Sequence, residues 1–397
     1  MTVNTANNMP KAIPYGKQSI TEADIQSVVD VLRSDFLTQG PMVPRFETAV
    51  ANYCQAQFAV AVNSATSALH IACLALELGP GDRLWTSPIT FVASANCGRY
   101  CGAQVDFVDI DPETFNLCPL ALEEKLKLAK KQNKLPKVVV AVHMCGQPCQ
   151  MREIHRLSKE YGFFIIEDAS HAIGATYENS SIGNCQYSDI TILSFHPVKI
   201  ITTAEGGMAL TNQAELAQKM SLFRSHGITR DERYMTHESE GPWYYEQIEL
   251  GFNYRMTELQ AALGVSQLQR VDEYVAKRHQ LAHRYHELLK ELPLSTPKQV
   301  SNRYSGFHLY IIQLNLDEIT QSKRTVFEYM RKQKIEVNLH YIPVHTQPYY
   351  QRMGFKVGDY PHSENYSNRA ITLPLFPALT HNEQDYVVAN LKKAVAA

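Results

Sequence analysis

The run Val138-Val139-Val140-Ala141-Val142, entered from Lys137, is apolar at every position. A strand with one wet face would alternate. A strand this uniform is covered on both faces, as in a parallel sheet between layers of helices. Parallel neighbours need crossovers, and the stretches 120–131 and 151–161 carry helical spacing on either side of the run. Further strands are expected at 58–62, 83–86, 105–108, 163–167 and 190–195. A helix with Ala68, Ile71, Ala72, Ala75 and Leu76 on one face follows the first of these and stops at Gly79-Pro80-Gly81-Asp82. The fold class expected is therefore α/β, a mainly parallel sheet sandwiched by helices.

Thr21 is placed to cap an earlier helix, with Glu22 and Asp24 in its first turn and Ile25, Val28, Val29 and Leu32 on one face. From 256 to 290 the pattern changes to long helices. Beyond Pro297, strands at 308–314 and 336–339 flank a helix at 322–333, and a last helix begins near Asn382. The organisation expected is an N-terminal arm, 1–20, a large domain, 21–265, and a smaller C-terminal α+β domain, 266–397. With 397 residues, 45% hydrophobic and 20% charged, the chain can fill two cores. Its net charge of −2 gives no electrostatic case for nucleic acid or an anionic membrane. No apolar run reaches the roughly 20 residues of a membrane span, and the polar N-terminus lacks the layout of a signal peptide. A cytoplasmic protein is expected. The eight cysteines, none after Cys185, do not form a disulfide framework. Cys97 and Cys101, and Cys145 and Cys149 beside His143, have a spacing zinc sites use, but the knuckle glycines are absent. Buried small hydrophobes are the preferred reading, with no metal.

Chemistry concentrates in Ser194-Phe195-His196-Pro197-Val198-Lys199, followed by Thr202-Thr203-Ala204-Glu205-Gly206-Gly207. A lysine just past a buried strand is desolvated, and its pKa falls toward that of a nucleophile. Upstream, Phe163-Phe164-Ile165-Ile166-Glu167-Asp168 is an apolar run ending in acid. Alone, each is an ordinary surface lysine or capping aspartate. Together, in this order, they are what pyridoxal phosphate (PLP) requires: Lys199 holds the aldehyde as an imine and Asp168 keeps the pyridine nitrogen protonated. The turn Asn63-Ser64-Ala65-Thr66-Ser67 offers backbone N–H groups at a helix N-terminus for the phosphate, with Ser194 a second donor. Phe91, in Ser87-Pro88-Ile89-Thr90-Phe91-Val92-Ala93, is placed to stack on the ring. His171 supports Asp168 or lines the ring, and His196 is a spacer or a base behind the lysine; both also read as core histidines.

These segments, with Glu167-Asp168-Ala169-Ser170-His171-Ala172, Gly251-Phe252-Asn253-Tyr254-Arg255-Met256-Thr257 and Leu373-Pro374-Leu375-Phe376-Pro377 in the same order, resemble the nucleotide-sugar aminotransferases of the DegT/DnrJ/StrS family, within the type I PLP-dependent transferase fold. The resemblance runs from about Ile13 to the C-terminus. It implies that Lys199 is the Schiff-base lysine and Asp168 the pyridine partner. Phe91 would be the stacking residue, and Ala65, Thr66 and Ser194 the phosphate ligands. It also implies that Asn253 reaches the phosphate of a neighbouring subunit, making a homodimer with shared active sites. Lysine rather than histidine at 199 implies amino transfer rather than dehydration.

His196-Pro197-Val198-Lys199, Pro14-Tyr15-Gly16-Lys17-Gln18, Ser34-Asp35-Phe36-Leu37-Thr38-Gln39-Gly40-Pro41 and His340-Tyr341-Ile342-Pro343-Val344-His345 narrow the similarity to one branch, the UDP-sugar 4-aminotransferases of pseudaminic acid biosynthesis. Ile200 departs from that branch, where proline is expected. The partners implied are L-glutamate and a UDP-4-keto-6-deoxy-N-acetylhexosamine. Lys17, Arg230 and Arg233 are candidates for the diphosphate, and His340, Tyr341 and His345 for the sugar. The alternatives are a different nucleotide 4-keto sugar, of the UDP D-series or a dTDP-hexose, and a PLP-binding regulator without turnover.

Overall fold

The computed structural model describes residues 12–396, and the part of the expected arm before residue 12 lies outside them. A short β1, Ile13–Pro14, precedes the strands of a seven-stranded sheet. These are β2 Phe58–Val62, β3 Arg83–Thr86, β4 Gln104–Phe107, β5 Val138–Val142, β6 Phe164–Asp168, β7 Ile190–Ser194 and β8 Gly207–Thr211. The spatial order is β2-β8-β7-β6-β5-β3-β4. Neighbours from β7 to β4 are parallel. β8 alone runs antiparallel, to both β7 and β2. Every β5 residue is buried, as its uniform composition requires. β8 is the core strand the sequence pattern did not reveal: its first residue, Gly207, belongs to what reads as a turn.

Helices cover the sheet: α1 Glu22–Leu32, α2 Met42–Cys54, α3 Ala65–Ala75, α4 Ala93–Tyr100, α5 Pro119–Lys131, α6 Met151–Tyr161 and α7 Ala214–Arg224. α1 starts at the expected Thr21, whose N–H donates to the Asp24 carboxylate at 2.9 Å while its hydroxyl accepts from the Asp24 N–H at 3.4 Å. This reciprocal cap satisfies two donors that a helix start leaves free. α3 is buried on all sides, every residue from Ser67 to Cys73 being out of solvent. Its N-terminus, where Asn63 to Thr66 are partly exposed, carries the positive end of the helix dipole.

α8 Glu258–Leu268 packs on α1 and α2. α9 Val271–Leu289 then passes from one core to another. Val271, Tyr274 and Val275 pack with the large sheet, whereas Leu281, Ala282, Tyr285 and Leu289 pack with the C-terminal lobe. That lobe holds an antiparallel sheet of β9 Leu294–Ser295 and β10 Tyr310–Leu314 with, beyond α10 Lys323–Lys332 and a short β11 Ile335–Glu336, β12 Ala370–Leu373; α11 His381–Ala396 closes it. β1 pairs in parallel with β11, and Leu375 N–H donates to the Tyr15 carbonyl at 3.0 Å. The arm beyond residue 12 is thus stitched to this lobe. Among the described residues, no helix is long and apolar enough to cross a membrane.

Candidate active site

Strands β2, β3, β6 and β7 of the large sheet end at one cleft of about 930 Å³, on the side where ligands of parallel sheets bind. β2 leads into α3, β3 into Thr90 and Phe91, β6 ends in Asp168, and β7 ends in Ser194 before the loop that carries Lys199.

The α3 N-terminus is organised by its own side chains. Ser64 Oγ accepts from the Ser67 N–H at 3.1 Å, and the Ser67 hydroxyl donates to Asn63 Oδ1 at 2.7 Å. The N–H groups of Ala65 and Thr66, in the first turn, have no intrahelical acceptor and border the cleft. Gly207, paired with Ser194 across the β8–β7 ladder, passes directly behind this turn. A Cβ there would lie 2.5 Å from Ala65 N and from Ser64 C and O, all backbone atoms. Only glycine permits that approach.

The lysine loop is closed on itself. Phe195 N–H donates to Gly206 O, and Thr203 N–H and Thr202 Oγ1 both donate to Phe195 O, each at 2.9 Å. Ile200 and Ile201 anchor the loop in the core, so Ile200 fills the place where proline is expected by packing. Lys199 lines the cleft and is partly buried as a residue. Burial pushes its pKa down to about 8, against the opposing pull of the Asp168 carboxylate. Asp168 is held from both sides. Ser94 donates to Oδ2 at 2.6 Å, and the Ser170 hydroxyl and N–H donate to Oδ1 at 2.6 and 3.1 Å. Strand alternation turns the preceding Glu167 the other way. There the Cys149 N–H donates to His143 Nδ1 at 3.1 Å, which fixes the Nε2–H tautomer donating to Glu167 at 2.7 Å.

The C-terminal lobe supplies the facing wall. Tyr341 OH meets His171 Nε2 at 3.2 Å, the His171 and His308 rings are 4.5 Å apart, and His340 Nδ1 meets Thr372 Oγ1 at 2.8 Å. All three imidazoles are kept neutral. Burial, then the nearby Lys199 charge, pushes His340 down to about 3. His171 and His308 are held well below the usual range, again by burial first. Phe91 stands at the mouth, 58% exposed and 6.2 Å from the Tyr341 ring, with a face open to a flat ligand.

Of the residues singled out from sequence, Ala65, Thr66, Phe91, Asp168, His171, Ser194, Lys199, His340 and Tyr341 line this cleft. Lys17, Arg230, Asn253 and His345 do not. His345 is corrected outright: it is fully buried, bonded to Glu364 at 2.9 Å and packed against Tyr360 at 4.7 Å. It is a core residue outside this cleft. Lys17 is exposed outside the cleft, Arg230 leans over Tyr245 at 6.0 Å, and Arg233 is exposed and paired with Asp231 at 2.6 Å. Asn253 is exposed, with its backbone bridged to Ser225. Tyr15, Gln260, His308 and Asn338 also line the cleft and were not singled out. Neither were Ser94 and Ser170. Ser170 carries a local signal, since a hydroxyl two residues past an aspartate is a turn spacing. Ser94 is 74 residues from Asp168 and carries none. Among the described residues no group of three or more His, Cys, Asp or Glu is arranged to hold a metal ion.

The profile of the DegT/DnrJ/EryC1/StrS aminotransferase family matches residues 18–392. The spore coat polysaccharide biosynthesis protein SpsC of Bacillus subtilis is 36% identical over 96% of this chain and 97% of its own. The UDP-4-amino-4,6-dideoxy-N-acetyl-beta-L-altrosamine transaminase of Campylobacter jejuni is 34% identical over 94% and 95%. Helicobacter pylori PseC, an aminotransferase involved in the biosynthesis of pseudoaminic acid, superposes with a TM-score of 0.88 at 30% identity, covering 97% of this chain and 99% of that one.

Proposed function

Because the chain belongs to the DegT/DnrJ/EryC1/StrS aminotransferase family, we propose that its cleft moves the amino group of L-glutamate to C4 of a UDP-4-keto-6-deoxy-N-acetylhexosamine. The product of this reading is UDP-4-amino-4,6-dideoxy-N-acetyl-β-L-altrosamine, a precursor of pseudaminic acid. The observation that carries the amino-transfer reading is a lysine amine brought down to about 8 in the same cleft as an aspartate that accepts three hydrogen bonds. The sugar reading draws support from the likeness to the Campylobacter and Helicobacter proteins.

The enzyme is PLP-dependent, and the residues fit that group. The free N–H groups of Ala65 and Thr66, with the Ser194 hydroxyl, would bind the phosphate. Phe91 would cover one face of the ring, and Asp168 would hold a proton at the pyridine nitrogen. When bound, PLP supplies an electron sink that makes the α-proton of an amino acid removable. Lys199 Nζ is the base that would take this proton and return it. Its amine is neutral in about one molecule in ten at pH 7 when the pKa is about 8. His171, His308 and His340, all held below the usual imidazole range, do not compete with Lys199 for this proton. Asn253 and Arg230 sit outside their own cleft, which fits a homodimer in which each subunit completes the other's site.

The test is turnover with a panel of nucleotide 4-keto sugars and L-glutamate, with products read by mass and NMR. Amine at C4 of the L-arabino-hexulose is expected. Lys199→Ala should bind PLP and turn over nothing. Turnover by that variant overturns the assignment. The likeness to SpsC, at 36% identity, supports a second reading in which another nucleotide 4-keto sugar is the acceptor. Preference for such a sugar in the panel would decide for it.

A further inference from the structure

Both substrates of an amino transfer must bring their reacting carbon beside Lys199, and they differ in what that carbon carries. L-Glutamate brings an anionic α-carboxylate, whereas a 4-keto sugar brings only uncharged ring substituents. An arginine facing the carboxylate would suit the donor, but it would be left as an unpaired, desolvated charge once the sugar took the donor's place. Among the described residues no arginine lines the cleft, and Lys199 is its one lysine. The donor's carboxylate therefore needs neutral hydrogen-bond donors from this chain.

The wall of the C-terminal lobe offers them. Several of the polar groups around the cleft are already engaged: Tyr341 OH with His171 Nε2 at 3.2 Å, His340 Nδ1 with Thr372 Oγ1 at 2.8 Å, and Gln260 Nε2 with the Glu205 carbonyl at 2.8 Å. His308 Nδ1 is sealed from solvent. Asn338 and Tyr15 remain, both lining the cleft and both partly exposed. The Asn338 backbone is fixed to Thr372 of β12 in both directions, donating to its carbonyl at 3.3 Å and accepting from its N–H at 2.8 Å. Asn338 Oδ1 accepts the Leu339 N–H at 2.9 Å. The amide is therefore oriented, and Nδ2 is the end left to donate. The parallel β1–β11 pair, Ile13 with Ile335 and Pro14 with Glu336, delivers Tyr15 to the same wall, its ring 5.0 Å from that of His340. Burial raises the Tyr15 hydroxyl above its usual range, against the opposing effect of the Asn338 amide, so it stays protonated and able to donate.

Given the glutamate-to-sugar reaction proposed for this cleft, we propose that the Asn338 amide, with the Tyr15 hydroxyl beside it, binds the α-carboxylate of the amino donor. Asn338 is thus a specificity-determining residue, and its neutrality is what lets one position serve both substrates. A carboxylate gains a hydrogen bond from Nδ2, and a sugar hydroxyl can accept the same bond. Neither exchange leaves a buried charge without a partner.

The test uses the full-length PLP-loaded enzyme and follows the loss of its visible absorbance band after an amino donor is added without sugar. L-Glutamate is compared with L-isoglutamine, in which an amide replaces the α-carboxylate and the side chain is unchanged. Wild type should favour glutamate by roughly 10- to 150-fold in bleaching rate at low donor concentration, the effect of one charged hydrogen bond. In Asn338→Asp the new carboxylate repels glutamate and accepts from the isoglutamine amide, so that preference should fall about tenfold or more. Asn338→Ala should lose affinity for glutamate without gaining any for isoglutamine, and the preference should fall again. Return of the visible band, when the keto sugar selected by the acceptor panel is added to enzyme loaded with pyridoxamine phosphate, should be nearly unchanged in both variants. A general loss of structure would not spare that half-reaction. Wild type that glutamate does not bleach overturns the glutamate reading and this assignment with it. Wild type that glutamate bleaches, with the glutamate preference unchanged in either variant, overturns the assignment alone. So does an equal loss in the two half-reactions.

Discussion

Gly207→Ala tests the link between the sheet and the phosphate-binding turn. The added methyl would meet Ala65 N and Ser64 C and O at 2.5 Å, well inside normal contact. Because all three are backbone atoms, no side-chain rotation relieves the clash. Either the first turn of α3 moves away from the cleft, or β8 shifts between β2 and β7, which both bond to it. Overpacking of this kind costs about 1–3 kcal/mol. If the helix yields, the Ala65 and Thr66 N–H groups leave their positions and the PLP dissociation constant rises about 5- to 150-fold. If the strand yields, the same energy appears as lost stability. The assay is paired: PLP titration of apo-enzyme by absorbance, and urea unfolding of apo-enzyme. The two losses together should total about 1–3 kcal/mol, with turnover at saturating PLP changed less than affinity. A variant that matches wild type in both measurements would refute the steric argument.

The rate at which apo-enzyme takes up PLP should follow the neutral fraction of Lys199, with a midpoint near pH 8. Asp168→Asn should move that midpoint lower, because the carboxylate is what holds it up; a midpoint near 10 in wild type would count against a desolvated amine. Ser94→Ala removes a 2.6 Å donor from Asp168 Oδ2, and loss of a charged hydrogen bond of about 1.5–3 kcal/mol predicts a fall of roughly 10- to 150-fold in kcat/KM together with a lowered melting temperature. Asp24 is fully buried, and burial alone would raise its pKa, but bonds from Ser266, Thr21, Arg270 and Gln267 overcome this and hold it below the usual carboxylate range. Its stabilisation is therefore complete above the unfolded carboxylate value of about 3.9 and lost as pH falls through the depressed one. The urea-midpoint gap between wild type and Asp24→Asn should shrink from pH 7 to pH 2.5, and a constant gap would exclude this linkage.

Strands buried on both faces were legible to within about a residue, because a run such as 138–142 has no other stable environment. Helix starts were legible where a side chain caps them, as at Thr21 and at Ser322 before α10. β8 was hidden because its glycine serves close packing, which sequence does not distinguish from turning. α2 was hidden because Pro41 and Pro44 sit at its start, where proline is tolerated but reads as a loop. In the cleft, Lys199 and Asp168 were legible because their chemistry demands a strand end. Ser94 and His308 were not, since each is brought to the site by tertiary packing alone. His345 shows the opposite limit: ring type says nothing of direction, and His345 turned inward to Glu364.

Because α9 serves two cores with one unbroken helix, its length carries phase information. One residue inserted between Val275 and Leu281 would turn everything after it by about 100°. Leu281, Ala282 and Tyr285 would then rotate off their sheet, and Arg278, which reaches the carbonyls of His308 and Leu375 at 3.2 and 2.9 Å, would lose both. The residue count of α9 sets the angle at which one half of the active site meets the other.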